Sequence, residues 1–140
     1  MAFATTVRVR YADTDAMGVV YHANYLVWFE VGRNELMRSW EMPYVQFEEK
    51  GILVPVVEAN IHWRFPARYD DLLRVEACLA ELSPAKLKFA YRIVRDSDGK
   101  LLCDGFTLHG FMSREVRPMA LPKAAPDLYE ALMKKIEPRG

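Results

Sequence analysis

A short stretch near the amino terminus holds most of the residue types that could do chemistry. It places Asp13 and Asp15 two positions apart, and His22 and Asn24 shortly afterwards, just before a long apolar segment. A carboxylate can act as a general base or as a nucleophile. Unpaired amides at the start of a helix can stabilise a developing negative charge. The spacing therefore predicts that carboxylate chemistry takes place beside a helix amino terminus.

The apolar segment after His22 is predicted to be a buried helix over residues 24–40. Its aromatic and aliphatic side chains form a wide face, which is typical of a helix surrounded by protein rather than of a cofactor site. Gly32 in its middle costs about 1 kcal/mol in helix propensity relative to Ala, and close approach to a sheet would offset this cost. Asn24 is expected to cap the helix.

The remaining segments alternate apolar and polar side chains with the period of a β-strand. Strands are predicted over residues 5–11, 57–65, 73–79, 86–93 and 101–112, a short helix over 44–50, and a carboxyl-terminal helix with Leu128, Leu132 and Ile136 on its apolar face. One long helix and five strands predict an α+β domain in which a mostly antiparallel sheet wraps the helix. This arrangement is the hotdog fold, and residues 1–140 are predicted to form one such domain.

The bulk composition excludes several other classes of protein. The formal net charge is zero, which argues against a nucleic-acid partner. No window has the roughly 20 apolar residues of a membrane span, and the first residues do not resemble a signal peptide. Cys78 and Cys103 lie far apart with no histidine nearby, so we expect two core residues and no structural zinc. A cytoplasmic location is the expectation.

The motif Tyr11-x-Asp-Thr-Asp-x-x-Gly-Val-Val-Tyr-His-x-x-Tyr25 resembles the signature of the 4-hydroxybenzoyl-CoA thioesterase family of hotdog proteins. The histidine after the tyrosine is similar to the YbgC-type acyl-CoA thioesterase branch. The likeness continues through Val56-Val-Glu-Ala, Phe65-Pro-Ala-Arg-Tyr-Asp70 and Gly105-x-Thr-x-His109, and it covers roughly residues 5–120.

The resemblance implies hydrolysis of an acyl-CoA thioester without a metal or a bound cofactor. It also implies that Asp15 is the catalytic residue, as nucleophile or as general base. The position of His22 is the place where a backbone amide polarises the thioester carbonyl, and the role of the His22 side chain stays open. Asp13 is expected to be a structural hydrogen-bond acceptor in the loop.

Further candidates surround this centre. Gly18, Tyr21, Asn24 and Glu58 are the predicted substrate-binding residues, with Gly18 supplying a special backbone angle or close ligand approach and Glu58 supporting the site from a neighbouring strand. His62 is expected to be exposed, and His109 to be a buried, hydrogen-bonded histidine. The candidates for contacts to the CoA phosphates are basic side chains, none preferred over another: Arg64, Arg68, Lys86, Lys88, Arg114 and Arg117.

The edge of a five-stranded sheet invites pairing with another chain. Similar proteins join their sheets edge to edge, so we expect a homodimer, or a homotetramer of two dimers, with sites at the subunit interface. Besides the acyl-CoA substrate, an acyl carrier protein is a further candidate partner. Two other functions stay open at this point: a hydratase or dehydratase acting on acyl thioesters, and a non-catalytic acyl-binding scaffold. The acyl group is not predicted.

Overall fold

The computed structural model describes residues 2–42 and 44–137. In chain order its strands are β1 (Phe3–Arg8), β2 (Ile52–Leu53), β3 (Val56–Trp63), β4 (Leu72–Leu82), β5 (Lys86–Arg95), β6 (Leu101–Gly110) and β7 (Met112–Ser113). Its α-helices are α1 (Asn24–Ser39), α2 (Tyr44–Glu49), α3 (Leu121–Ala124) and α4 (Pro126–Met133).

Five of the strands form one antiparallel sheet in the order β1-β4-β5-β6-β3. Helix α1 lies across one face of this sheet and packs on β1, β4 and β5. The buried aromatic rings of Phe29 and Tyr91 stack with their centroids 4.3 Å apart, which joins α1 to β5. The predicted α+β class and hotdog arrangement are therefore confirmed.

The predicted close approach of α1 to the sheet occurs at Gly32. A Cβ atom placed on Gly32 would lie 2.7 Å from Cγ1 of the buried Val75, well inside van der Waals contact. Only glycine lets the helix sit this close to β4, which explains why a poor helix former occupies the centre of the longest helix.

The first predicted strand is wrong at its carboxyl end. Strand β1 ends at Arg8, and residues Tyr11–Asp13 form a single turn of 3₁₀ helix instead. Tyr11 is 78% exposed, although alternation placed it on the apolar side with Val7 and Val9. The chain turns away because Val9 exchanges backbone hydrogen bonds with Asp70 and Asp71, outside the regular ladder.

A second, two-stranded sheet of β2 and β7 was not predicted. These strands have two residues each, too short for a periodic pattern to reveal them. The carboxyl-terminal helix was predicted, but α4 ends at Met133, and Ile136 instead bridges to Leu79 of β4. The short helix α2 was predicted to within one residue.

Strand β3 is the exposed edge of the main sheet. It pairs with β6 on one side, and seven of its eight residues are exposed. Val56, Val57 and Trp63 are 47%, 49% and 46% exposed. Such an apolar strand with one open ladder side is a surface on which another strand can pair.

Candidate active site

The loop before α1 is anchored by Asp13. This carboxylate is buried and accepts hydrogen bonds from the backbone N–H of Arg10 at 2.8 Å and from the Arg10 guanidinium at 2.8 Å. Burial raises the pKa of Asp13, but the hydrogen bonds from Arg10 outweigh this effect and hold the pKa below its ordinary value. Asp13 is thus the structural acceptor that the sequence predicts.

Asp15 begins a tight turn two residues later. Its backbone N–H donates to the carbonyl of Val19 at 2.9 Å, and its carbonyl accepts the N–H of Gly18 at 3.0 Å. Gly18 has a φ of +77°, a left-handed conformation that glycine adopts without strain, as predicted. The Asp15 carboxylate accepts the N–H of Met17 at 2.8 Å through Oδ1. Within the described residues Oδ2 has no hydrogen-bond partner.

Asp15 and His22 line the same open cleft, with an empty volume of about 570 Å³. The His22 ring is exposed and meets the edge of Trp63 with centroids 5.9 Å apart. Most of the other walls are apolar, and the remaining lining residues are Met17, Val19, Val20, Tyr25, Arg64, Phe65 and Pro66. The structure thus brings together the two predicted catalytic residues, one from the loop and one from the start of α1.

The start of α1 is held by the loop rather than by a side-chain cap. The Asn24 side chain donates to the carbonyl of Asp13 at 2.8 Å, so Asn24 is the first helical residue and not the predicted cap. The N–H of Tyr21 donates to the same carbonyl at 2.9 Å. In the described part of the chain, the backbone N–H groups of His22 and Ala23 have no acceptor, and the positive end of the helix dipole lies beside them.

The predicted substrate-binding residues fall into two groups. Gly18, Tyr21 and Asn24 flank the cleft in the chain without lining it. Glu58 lies on β3 opposite Leu108 of β6, and the alternation along both strands turns it to the sheet face away from α1. Within one subunit the structure therefore does not bring Glu58 to Asp15.

Of the candidate phosphate contacts, only Arg64 lines the cleft. Its guanidinium is paired with Asp104 through contacts of 3.1 and 3.3 Å. Lys88 lies 3.5 Å from Glu81, and Arg114 donates to the carbonyl of Glu48 at 2.8 Å. The partly exposed pair of Arg64 and Asp104 is weak, so it leaves Arg64 able to exchange partners.

A second hollow lies farther along α1 and is more enclosed, with an empty volume of about 590 Å³. Arg33 and the buried His109 both line it. The burial of His109 was predicted and is confirmed, whereas Arg33 was not singled out from the sequence. The Gly105-x-Thr-x-His109 strand contained part of the signal, because alternation places Thr107 and His109 on the same face.

Hydrogen bonds join these residues into one chain. Nδ1 of His109 lies 3.1 Å from the carbonyl of Val54, and Nε2 lies 2.8 Å from the Thr107 hydroxyl. The Thr107 hydroxyl lies 2.6 Å from that of Tyr91, to which Arg33 donates at 3.4 Å. Burial, together with the nearby charge of Arg33, lowers the pKa of His109 to about 4, so this ring is neutral near pH 7.

Both cysteines are buried on strands, as predicted, and burial raises the pKa of Cys103 to about 12. Within residues 2–42 and 44–137 no group of three or more histidine, cysteine and acidic side chains could hold a metal ion. No helix in this part of the chain is long and apolar enough to cross a membrane.

Residues 9–135 match the thioesterase-like superfamily. The acyl-CoA thioester hydrolase YbgC of Escherichia coli is 32% identical over 123 residues, covering 87% of this chain and 91% of YbgC. A family match of this length assigns the whole chain, with its fold and its cleft, to one class of protein. The chain is a member of the thioesterase-like superfamily, which confirms the family resemblance.

Two solved structures are similar over nearly the whole chain. The hypothetical protein TT1821 of Thermus thermophilus is 39% identical with a TM-score of 0.86, covering 94% of this chain and 98% of that one. The DHNA-CoA thioesterase of Staphylococcus aureus is 31% identical with a TM-score of 0.89, covering 94% and 88%. The hotdog fold is therefore shared with solved thioesterase structures.

Proposed function

We propose that this protein hydrolyses the thioester of an acyl-CoA, with Asp15 as nucleophile or general base. The observation that carries the proposal is the state of the Asp15 carboxylate. One oxygen is oriented by the N–H of Met17, and the other has no partner among the described residues and borders an open cleft. A carboxylate held in this way keeps lone pairs available for a proton or for a carbonyl carbon.

The start of α1 supplies the second requirement of the reaction. The backbone N–H groups of His22 and Ala23 have no described acceptor and can hold the negative oxygen of the tetrahedral intermediate. The His22 side chain lines the same cleft and can orient the water or the thioester. The names of YbgC and of the Staphylococcus aureus enzyme support the same class of substrate.

The steps balance in either form of the mechanism. As a base, Asp15 takes a proton from the water that attacks the carbonyl, and collapse of the intermediate expels the CoA thiolate, which takes up that proton. As a nucleophile, Asp15 expels the thiolate and forms a mixed anhydride, which water then hydrolyses. A thiolate is a good leaving group, so neither form needs a strong general acid.

The decisive variant is Asp15→Asn, measured by release of free thiol from a series of acyl-CoAs. We expect kcat to fall by about 1,000-fold or more, because the amide can neither accept the proton nor attack. Affinity for the thioester and the melting temperature should stay near those of the wild type. The matched control is Asp96→Asn, which alters an exposed carboxylate in the β5–β6 turn.

Normal turnover by Asp15→Asn would refute the proposed role of Asp15. Crotonyl-CoA distinguishes the rival hydratase activity, because hydration removes the double bond without releasing thiol. A wild-type protein that binds acyl-CoA but releases no thiol from any of them would instead support a binding scaffold.

We further propose that two copies pair through the exposed edge of β3. The open ladder side of this strand and its exposed apolar residues support such pairing. Trp63 lies on β3 and lines the cleft, so pairing would bring the partner subunit close to the candidate site. Mass and turnover measured together in a dilution series test this point, and full activity in a verified monomer would contradict it.

A further inference from the structure

The enclosed hollow beside α1 is distinct in its chemistry from the cleft at Asp15. It lies between α1 and the strands β5 and β6, and it has an empty volume of about 590 Å³. Apolar walls such as Phe89 and Leu87 surround a few polar groups from α1 and β6. The predicted catalytic residues and the first residues of α1 do not line this hollow. The role of its polar groups is therefore a separate question from the chemistry at Asp15.

The direction of the buried hydrogen-bond chain follows from its two ends. The Val54 carbonyl can only accept, so Nδ1 of His109 carries the proton and Nε2 is an acceptor. The Thr107 hydroxyl must then donate to His109 and accept from Tyr91. Tyr91 in turn accepts from Arg33. The chain therefore uses its own acceptors internally and leaves none of them directed at a ligand.

Arg33 is the member of the chain with donors to spare. A guanidinium has five N–H donors, and the described hydrogen bonds use one of them, at a long 3.4 Å. None of the ion pairs in the described part of the chain includes Arg33, although this side chain is half-buried. A half-buried cation without a carboxylate partner is most strongly stabilised by an anion.

The other polar groups of the hollow point to the same ligand chemistry. The Tyr44 hydroxyl accepts the N–H of Val54 at 3.4 Å, which leaves its own proton to donate, and Asn34 adds an amide. Glu30 also lines the hollow, but it is exposed, so water screens its charge. The inner groups are therefore mainly donors, and they match a carboxylate better than a hydroxyl group.

The hollow and the cleft both border α1, near opposite ends of β3. His22, Tyr25 and Trp63 at the end of β3 line the cleft, whereas Arg33, Met37 and Val54, which precedes β3, line the hollow. Arg33 follows Asn24 by nine residues, which is about 14 Å along the helix. An extended acyl chain can cover such a distance.

We propose that the hollow binds the far end of the acyl group and that this end carries a carboxylate held by Arg33. The substrate class is then an ω-carboxyacyl-CoA. This inference rests on the proposed thioesterase function and adds a second recognition point to it. Arg33 acts here as a specificity-determining residue, because it contacts the substrate far from the bond that is cleaved.

The test compares matched pairs of substrates. A length series from succinyl-CoA to sebacoyl-CoA is assayed by thiol release beside unsubstituted acyl-CoAs with the same number of carbons. We expect the wild type to prefer the carboxylated member at one or more of the longer lengths. Arg33→Gln should lower kcat/KM for that substrate by about 10- to 100-fold, the usual effect of losing a charge-assisted contact. The neutral partner substrate should change little.

Three companion variants keep the result interpretable. Arg33→Lys retains the charge and should recover part of the preference. Arg38→Gln removes an equal charge from the same helix, but Arg38 pairs with Glu35 and does not line the hollow, so the preference should persist. Glu30→Gln removes an exposed and screened negative charge from the lining and should change the preference much less than Arg33→Gln does. Melting curves confirm that each variant is folded.

The outcomes separate the two proposals. Two results would overturn the role of Arg33 alone. In the first, the wild type hydrolyses neutral acyl-CoAs and shows no preference for carboxylated ones. In the second, folded Arg33→Gln loses the same fraction of kcat/KM on both members of a substrate pair. Absence of thiol release from every substrate with wild-type protein overturns the thioesterase function itself. A preference that disappears in Arg33→Gln and persists in Arg38→Gln supports the inference.

Discussion

Two hollows flank α1, and they use similar residue types in opposite ways. The cleft at the amino end has an exposed histidine, and among the described residues it also has an aspartate with an unbonded oxygen and, just before α1, amides without acceptors. The hollow farther along is lined by the buried His109, which belongs to a chain with Thr107 and Tyr91 whose hydrogen-bonding groups satisfy one another. Polar groups left open beside water can react, whereas polar groups paired away from water stabilise and shape the protein.

The two histidines make this difference concrete. His22 is exposed at the cleft, in contact with the rings of Tyr21 and Trp63. His109 is 1% exposed and held at both ring nitrogens. A histidine that acts on a substrate needs a free ring nitrogen, so His109 is a structural residue of the fold. Only Arg33, at the start of the buried chain, keeps donors for a ligand.

The largest expected effect outside activity is the pH dependence that His109 imposes on stability. The unfolded histidine takes up a proton near pH 6.5, whereas the folded one stays neutral down to a pKa of about 4. Because the pKa of His109 is lower in the folded state, its neutral ring contributes stability above the unfolded pKa of about 6.5. This contribution is lost as pH falls from about 6.5 to the folded pKa of about 4. The expected loss is about 3 kcal/mol between pH 7 and pH 4.

Denaturant unfolding at several pH values measures this effect. The difference in unfolding free energy between wild type and His109→Gln should shrink as pH falls from 7 to 4. Parallel profiles for wild type and His109→Gln would contradict the lowered pKa of His109.

A smaller effect is expected from breaking the middle of the buried chain. Thr107→Val keeps the shape of the side chain but removes the hydroxyl between Tyr91 and His109. Two buried polar groups lose their partner, so the free energy of unfolding should fall by about 2 kcal/mol. Thr107→Ser retains the hydroxyl and should cost less. Urea titration measures both variants, and equal losses would assign the effect to packing instead.

The smallest effect separates the two aspartates of the loop. Asp13→Asn weakens the contacts with Arg10 and should lower the free energy of unfolding by about 1 kcal/mol, a modest value because Arg10 is exposed. Asp15→Asn keeps an acceptor for the N–H of Met17 and should change stability by less than about 0.5 kcal/mol. Equal losses of stability would show that Asp13 anchors the loop no more than Asp15 does.

Local patterns predicted much of the architecture. The apolar periodicity predicted α1 from Asn24 to within one residue of its end at Ser39, and alternation identified the strands β3 to β6. Side-chain periodicity follows directly from backbone geometry, so it is visible in sequence. Alternation failed at Tyr11, where contacts of Val9 with a distant loop redirect the chain.

The candidate site has local and distant parts for a similar reason. Asp15, Gly18 and His22 lie in one short loop, where sequence neighbours are also neighbours in space. Glu58 was selected from a strand whose neighbours in space were unknown, and its alternation places it on the opposite sheet face. Arg33 carried no local signal, because the residues around it, such as Tyr91 and His109, come from other elements.

The sequence by itself determined the class of fold, the family and the loop with its two aspartates, because each depends on residues close together in the chain. The tertiary structure alone decided which aspartate is buried, that His109 is neutral near pH 7, and that Arg33 lines a hollow. Burial and hydrogen bonding depend on neighbours from distant segments, and these neighbours set the charge and the reactivity of each group.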